Sequence, residues 1–348
     1  MSVWASFEFD DHEQVCFFSD EKTGLRAIVA IHSTFLGPAA GGTRFKSYNS
    51  DSEALDDALR LSRAMSYKAA LAGMPVGGGK AVIIGDPERI KTRALLHAFG
   101  GFIDRIGNTY ATGEDVGMTV ADIDTMAEVT RFVGGTSGGA GDPSVHTAVG
   151  FIHGLRAVLE AQFSTESFKG VRVAVQGLGA VGWRIAERLH AGGAKLVVAD
   201  IRPDVVNRAV HTFAATSLPT QTIHSAAVDI YAPCALGGVL TEVSVGEIRA
   251  KAVAGAANNQ LATPRAGVML AERGILFAPD FVINAGGVIS GLEAASRMPG
   301  RKPLEFAPLE VRLAAIHDRL AEILRRSRAE GQPPEIAAER MARQIIGR

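Results

Sequence analysis

Cysteine is scarce in this chain: Cys16 and Cys234 are the only two. So small a number builds no disulfide framework and suits a reducing compartment. Excess charge is missing as well, with 36 Lys and Arg against 37 Asp and Glu and a formal net charge of −1. Nothing in that balance calls for nucleic acid or an anionic membrane as a partner. No uninterrupted apolar run approaches the roughly 20 residues that span a bilayer. The opening stretch, Met1-Ser-Val-Trp-Ala-Ser-Phe-Glu-Phe-Asp-Asp11, is acidic and has neither the basic nor the apolar region of a secretory leader. Repeats, low-complexity tracts and a metal-ligand set are absent from the pattern too. Together these absences predict a cytoplasmic protein with no nucleic acid, membrane or metal in its work.

What is abundant is glycine, 39 in 348 residues, in a chain that is 47% hydrophobic and 21% charged. That length suits two domains with separate cores, and that composition suits an α/β architecture. The chain is organised around Met65-Ser-Tyr-Lys-Ala-Ala-Leu-Ala-Gly-Met-Pro-Val-Gly-Gly-Gly-Lys80. Lys68 lies near the end of a predicted helix, where Ala69, Ala70 and Gly73 leave little bulk beside it. Lys80 follows Gly77-Gly78-Gly79, read here as a turn where backbone approaches a ligand closely. It leads into the apolar strand Ala81–Ile84, and loss of hydration there lowers an ammonium pKa toward that of a general base. Taken alone, both lysines read equally well as solvated side chains. The rest of the chain decides for chemistry.

Residues 1–140 are predicted to form the first domain. Gln14–Phe18 and Arg26–His32 read as strands around an Asp20–Gly24 turn. Leu36–Arg44 interrupts the pattern with small residues. Ser50 and Glu53 form a capping box for a helix whose stripe is Leu55, Leu59 and Ser62–Met65, and which stops near Gly73. A second helical segment covers 87–106, and Thr119 with Asp122 caps a third. Asp115 falls between a strand and that third helix. As a cap or solvated acid it has no further role; beside a lysine it holds or exchanges protons, because the pair is tolerable in burial where each charge alone is costly.

Residues 141–317 are predicted to form the second domain, an α/β Rossmann domain with a doubly wound sheet, and 318–348 to pack back on the first. Strand Val171–Val175 runs into Gln176-Gly-Leu-Gly-Ala-Val-Gly182, a helix over Trp183–Ala191, and strand Lys195–Asp200. A lone G-x-G-x-x-G is a weak signal, but strand, fingerprint, helix, strand and a terminal acid about 20 residues on form a specific one. Gly177, Gly179 and Gly182, with Ala180 and Val181 between them, bring a pyrophosphate to the helix N-terminus. Asp200 accepts the adenosine ribose hydroxyls and repels a 2′-phosphate, so NAD is the expected cofactor, with Arg202 next to it the one contrary sign. Three further strand ends follow, at Ala232–Gly237, Ala256–Asn259 and Phe281–Gly287. Ala235 and Asn259 join the expected dinucleotide contacts, and Asn258, Asn259 and Asn284 each offer a donor and an acceptor suited to a carboxamide. A helix over Leu309, Leu313, Ile316, Leu320 and Leu324 ends at Gly331-Pro333-Pro334. Gly134–Pro143 is the expected hinge.

Taken together, these blocks resemble the amino-acid dehydrogenase family that includes the glutamate, leucine, phenylalanine and valine dehydrogenases, and look closest to its leucine and phenylalanine branches. The resemblance runs through Gly37–Arg44, Met65–Lys80, Glu114–Gly117, Gly177–Gly182, Ala232–Gly237, Ala256–Asn259 and Asn284–Gly287. It implies reversible, NAD-dependent oxidative deamination of an L-amino acid in a cleft between two domains of a homo-oligomer. It further implies that Lys68, with backbone at Gly41 and Gly42, binds the substrate α-carboxylate. Lys80 corresponds to the catalytic lysine that activates water, and Asp115 to the acid that moves protons. Asn284 orients the amine or the nicotinamide, and Thr147 touches the nicotinamide side. Ala40, Gly113, Val288 and Gly291 correspond to the side-chain pocket. Glutamate dehydrogenases resemble this sequence but carry a lysine where Ala40 stands, so a buried glutamate side chain would lack its partner, a cost of several kcal/mol. Leucine dehydrogenases usually have larger residues at 40, 113 and 291. The smaller set here enlarges the expected pocket, so leucine and phenylalanine both stay open, with a tilt toward aromatic capacity. Two other readings compete. A non-catalytic NAD-binding regulator would have lost a lysine or the aspartate, and a 2-hydroxy-acid dehydrogenase would need a His–acid pair that His146 and His153 do not form.

Overall fold

Alternation along one strand sets the layers of the first half. Leu25, Ala27, Val29 and Ile31 join one buried cluster, while Ile28 and Ala30 join another, because successive side chains leave a strand on opposite faces. The computed structural model describes residues 2–137, 142–296 and 306–348 and divides into two units. The first comprises residues 1–141, 289–306 and 342–348; the second comprises 142–288 and 307–341. Residues 138–141 of the expected hinge lie outside the described residues.

In chain order, the first unit holds Gln14–Asp20 (β1), Leu25–Ser33 (β2), Ala39–Ala40 (β3), Thr43–Lys46 (β4), Asp51–Leu71 (α1) and Gly77–Ile84 (β5). Pro87–Ile90 (α2), Arg93–Ile106 (α3), Tyr110–Ala111 (β6) and Val120–Ala127 (α4) follow. Among the described residues its six strands run β1-β2-β5-β3-β6, with β4 paired to β5. The β1–β2 and β2–β5 pairs are antiparallel, and β3 and β4 run parallel to β5. On one face α1 packs Ala54, Leu55, Ala58 and Leu59 over Ile28, Ala30 and Val82. On the other, Leu95, Phe99 and Ile103 of α3 and Ile123 and Met126 of α4 cover Val29, Ala81 and Ile83.

The glycines at 77–79 stand inside β5, not in a turn. A Cβ on Gly78 would come within 2.0 Å of the Ser66 backbone nitrogen of α1, and one on Gly79 within 2.7 Å of the Tyr110 ring. The strand is crowded from both faces, so glycine is required there for close approach, not for bending. The segment 87–106 is two helices, since Asp86 and Thr92 each cap a start of their own. Ser50 Oγ accepts from Glu53 N at 3.2 Å as expected, but the Glu53 carboxylate turns to Asn49. Thr119 and Asp122 form the full reciprocal box.

The second unit opens with Pro143–Phe163 (α5), Arg172–Gln176 (β7), Ala180–Ala191 (α6), Lys195–Ala199 (β8), Pro203–Phe213 (α7) and Thr216–Ser217 (β9). Ile230–Pro233 (β10), Glu242–Glu247 (α8), Ala252–Val253 (β11), Pro264–Glu272 (α9), Leu276–Phe277 (β12) and Asp280–Ile283 (α10) come next. Gly286–Ser296 (α11), most of which clusters with the first unit, Leu309–Glu330 (α12) and Pro334–Ile345 (α13), whose last residues also cluster with the first, follow in chain order. The sheet order is β12-β11-β10-β7-β8-β9, and every pairing is parallel. Strand order therefore reverses between β7 and β10, the place where such sheets bind ligands. No helix among the described residues is long and apolar enough to cross a membrane.

Two expectations fail in this unit. Phe281–Asn284 is not a strand: β12 lies earlier, at Leu276–Phe277, and Pro279 ends it and starts the single turn of α10. The tail expected on the first unit divides. Helix α12 packs on α5, with Ile316 against Gly150 and Gly154, buries Leu313, Leu320 and Leu324, and belongs to the second unit; of the expected tail only residues 342–348 cluster with the first.

Two histidines sit in the first unit's interior, His12 at 8% and His32 at 0% exposure. His12 Nε2 lies 3.0 Å from the Leu59 carbonyl and from Ser62 Oγ; His32 Nδ1 lies 2.8 Å from Ser66 Oγ. Burial, helped by nearby guanidiniums, pushes His12 down to about 4 and His32 down to about 3. Because both folded values lie below the unfolded one, the unfolded chain binds more protons as pH falls. Their contribution is complete above about pH 6.5 and is lost toward pH 3. Between pH 7.5 and pH 4.5 each histidine is expected to remove about 2 kcal/mol of stability, read from denaturant midpoints. The double variant His12→Gln, His32→Gln is expected to lose that part of the slope; an unchanged slope contradicts the assignment.

Candidate active site

Strand parity aims the first cluster. Lys80 shares the parity of Val82, which packs on α1, and Arg44 alternates with Phe45, which packs on the other face. Strands β4 and β5 run in parallel register, with Arg44 opposite Val82. The loop after β6 carries Asp115 back over β4, where Thr43 N donates to the Gly113 carbonyl at 2.8 Å and Phe45 N to that of Val116 at 2.8 Å.

Lys80 Nζ consequently lies 2.6 Å from Asp115 Oδ2, with the lysine side chain 8% and the aspartate 23% exposed. Arg44 Nε reaches the same oxygen at 3.2 Å. Its Nη1 lies 3.1 Å from Asp57 Oδ2, to which Tyr48 also donates at 2.9 Å, and Arg60 holds Asp57 Oδ1 at 2.7 Å. Burial pulls the Lys80 ammonium below its ordinary value despite Asp115. Burial works against the Asp115 carboxylate, but Lys80 and Arg44 outweigh it and hold it below the usual carboxylate range. The cluster is thus an anion between two cations, one of which can release its proton.

Gly41 and Gly42 fill the gap beside this pair. A Cβ on Gly41 would lie 1.8 Å from the Gly79 carbonyl oxygen, and one on Gly42 would lie 2.5 Å from that of Glu114 and 3.0 Å from the Asp115 side chain. Gly41 N donates to the Ala111 carbonyl at 3.2 Å and its own carbonyl accepts from Tyr110 at 2.6 Å. Both Gly41 backbone groups thus have partners in the sheet and its neighbour. Met65 of α1 would sit 3.3 Å from the same Gly41 Cβ. Lys68 follows Met65 by three residues, on the same face of the last turns of α1, and is half-buried.

The expected pocket residues separate by their surroundings. Ala40 is buried at 5% in β3. A Cβ on Gly113 would press on the Gly134 carbonyl at 3.0 Å, so the small residue there relieves a backbone contact and does not simply enlarge a pocket. A Cβ on Gly291 meets nothing within 4 Å. Val288 and Gly291 both lie on α11, the first half-buried and the second exposed.

In the second unit the fingerprint stands at the reversal of strand order. Gly177 has a φ of +98°, and its Cβ would fall 2.7 Å from that of Ala235, in the loop after β10. A Cβ on Gly182 would strike the Gly177 carbonyl at 2.0 Å, while one on Gly179 meets nothing within 4 Å. The first and third glycines serve packing, and the second leaves the N-terminus of α6 open, with no side chain capping it. Exposed Ala180 and half-buried Val181 begin that helix. A dinucleotide pyrophosphate fits such a cradle. Asp200 accepts from Leu178 N at 2.7 Å and from Arg202 N and Nε at 3.0 and 3.1 Å. Burial opposes its charge, but Arg202 and Leu178 prevail and keep it ionised.

The three asparagines do not stand at three strand ends, since Asn284 follows α10. Asn284 Nδ2 donates to Asn258 Oδ1 at 2.8 Å and to the Ala256 carbonyl at 3.2 Å, and its buried Oδ1 has no hydrogen-bond partner among the described residues. That orphan acceptor is where an amide or amine donor fits. Asn259 is exposed, at a φ of +51°. Thr147 Oγ1 donates to the Pro143 carbonyl at 3.0 Å and lies close to Gly287. Reasoning from sequence missed Arg44 and Asp57. The signal was the parity of Arg44 with Lys80 across adjacent strands.

Residues 12–132 match the family domain described as Glu/Leu/Phe/Val dehydrogenase, dimerisation domain, and residues 138–209 and 200–330 match Glutamate/Leucine/Phenylalanine/Valine dehydrogenase. A leucine dehydrogenase of Geobacillus stearothermophilus is 45% identical, over 99% of this chain and 94% of the relative. A valine dehydrogenase of Streptomyces virginiae is 48% identical, over 96% and 93%. The solved structure of an L-tryptophan dehydrogenase from Nostoc punctiforme superposes with a TM-score of 0.85 at 40% identity, covering 97% of this chain and 96% of that one. With the paired lysine and aspartate on one unit and the glycine fingerprint on the other, the chain belongs to the glutamate/leucine/phenylalanine/valine dehydrogenase family and is an NAD(P)-dependent amino-acid dehydrogenase.

Proposed function

We propose that the protein catalyses the reversible, NAD-dependent oxidative deamination of a hydrophobic L-amino acid to its 2-oxo acid and ammonia. The observation that carries this reading is the 2.6 Å contact between buried Lys80 and Asp115. Lys68 holds the substrate α-carboxylate and so fixes the direction of the Cα–H bond, a contribution of orientation. A dinucleotide held at Gly177, Gly179, Ala180, Val181, Gly182, Asp200, Ala235 and Asn259 supplies the hydride acceptor. Lys80, deprotonated, takes a proton from the water that attacks the imino acid, and Asp115, an anion at rest, takes a proton during the amine chemistry and returns it to the departing amine. Asn284 accepts from the amine or a carboxamide through its unpaired Oδ1, and Thr147 stands near the same end.

Ala40 gives a substrate carboxylate side chain no cation, so glutamate is disfavoured. The open space at Gly291 supports admission of bulky side chains, and relatives named for leucine, valine and tryptophan agree with a hydrophobic pocket. The match of residues 12–132 to a dimerisation domain supports a homo-oligomer. The test is NADH formation at mildly alkaline pH over leucine, valine, isoleucine, phenylalanine, tryptophan and glutamate. Turnover of hydrophobic members above glutamate is expected; glutamate as best substrate contradicts the reading.

The preference for NAD rests on Asp200, an anion whose Arg202 neighbour is already engaged. A 2′-phosphate has to face the carboxylate and compete for the guanidinium. NADP is expected to be used at least about 100-fold less efficiently than NAD, the scale of one unpaired charge contact. Asp200→Ser removes the anion and frees Arg202, and is expected to raise kcat/KM for NADP while lowering it for NAD. Equal use of both cofactors by the parent enzyme contradicts the assignment.

A further inference from the structure

We infer that Arg44 is a positioning residue for this reaction: by holding the same Asp115 oxygen that Lys80 binds, it keeps the aspartate an anion and leaves the exchangeable proton to the lysine. The inference rests on the role proposed for Lys80 and Asp115, and deepens it. In a pair as buried as Lys80 and Asp115, burial disfavours both charges. The proton on Lys80 can then pass to Asp115 and stay there, and a carboxyl already protonated at rest can take up no proton during the amine chemistry. A third group that cannot lose its charge breaks that symmetry. Arg44 is such a group, since a guanidinium stays protonated throughout the working range.

The geometry meets that demand. Arg44 Nε lies 3.2 Å from Asp115 Oδ2, and Nη1 lies 3.1 and 3.4 Å from the two oxygens of Asp57. Asp57 is fixed in turn by Tyr48 and Arg60, so the guanidinium is held from behind. Its side chain is 18% exposed, shielded enough for the charge to act across the short distance. Among the described residues, Lys80 is acted on by Asp115 from the loop after β6, Arg44 from β4 and Asp57 from α1; Tyr48 and Arg60 hold Asp57, Tyr110 feels the charge of Asp115, and Lys68 stands further along α1. Arg44 acts on Lys80 to ease loss of its proton, and Asp57 acts the opposite way.

The two neighbours therefore have opposite signatures. The pH at which kcat/KM rises reports proton loss from the Lys80–Asp115 pair. Arg44→Gln is expected to move that rise about one pH unit or more toward alkali, the scale of one near charge. Activity at pH 7.5 then falls at least about tenfold and largely recovers near pH 10. Arg44→Lys, which keeps the charge and loses the fork, is expected to restore most of the parent profile. Asp57→Asn, which removes an anion, is expected to move the rise toward acid. The same shifts are read without turnover from the lysine 13Cε resonance that disappears in Lys80→Ala. Titrations of that resonance that coincide in the parent and Arg44→Gln overturn the inference, as does a shift in one direction for both Arg44→Gln and Asp57→Asn. Absence of amino-acid turnover in the parent enzyme overturns the proposed function instead, and the resonance still tests Arg44.

Discussion

Lys80→Ala is expected to lower kcat by at least about 10³-fold at every pH while the protein stays folded. A positioned general base contributes about 10²–10⁴ in rate, and the alanine leaves no other group at that place to take the proton. Folding suffers little because the change removes a buried cation whose desolvation was costly, and Asp115 keeps Arg44 as its partner. The variant is expected to bind NAD as the parent does, since the residues proposed to hold the dinucleotide lie on the other unit. Steady-state kinetics beside a thermal melt checks both parts. A folded Lys80→Ala enzyme retaining more than a tenth of the parent kcat contradicts the role given to the lysine.

Asp115→Asn is expected to cost as much in rate and, unlike Lys80→Ala, a great deal in stability. The amide leaves Lys80 and Arg44 facing each other in a buried site without the anion between them. Breaking a buried pair in this way costs about 3–5 kcal/mol. Lys80 can relieve the conflict by releasing its proton, which fixes the sign of the pH dependence. In the variant the folded lysine pKa falls further below the unfolded value, so the unfolded chain binds more protons and stability rises with pH. The deficit relative to the parent is therefore largest near pH 6 and smaller at pH 9, as denaturant titrations at the two values would show. A constant deficit means that the lost contact, not the uncompensated charge, sets the cost. The asymmetry between the two partners of one ion pair follows from Arg44 alone.

Local patterns carried the second unit well. Strand, fingerprint, helix, strand and Asp200 are adjacent in sequence, and each step follows from spacing or from the chemistry of glycine. The contact of Lys80 with Asp115 spans 35 residues, and no local rule joins them; only the family resemblance placed them together. Arg44 escaped notice because an arginine beside small residues reads as solvated until the register of β4 on β5 is known. Gly77-Gly78-Gly79 suggested a turn because glycine weakens isolated strands, yet here Ser66 and Tyr110 crowd both faces and exclude any side chain. The short strands gave no period to read: Leu276–Phe277 is two residues long, so the longer apolar run at Phe281 drew the assignment. What depends on register and on two-residue strands was hidden; what depends on consecutive residues was not.

Hydride removal from Cα is the central claim, and isotope transfer tests it most directly. The enzyme is incubated with NAD and L-leucine or L-phenylalanine carrying deuterium at Cα, and the reduced cofactor is weighed by mass spectrometry while ammonia is counted. The account predicts NADH heavier by one deuterium, one ammonia released for each, and turnover at least about 10³-fold slower from Lys80→Ala. Unlabelled NADH, or labelled NADH without ammonia, would contradict it.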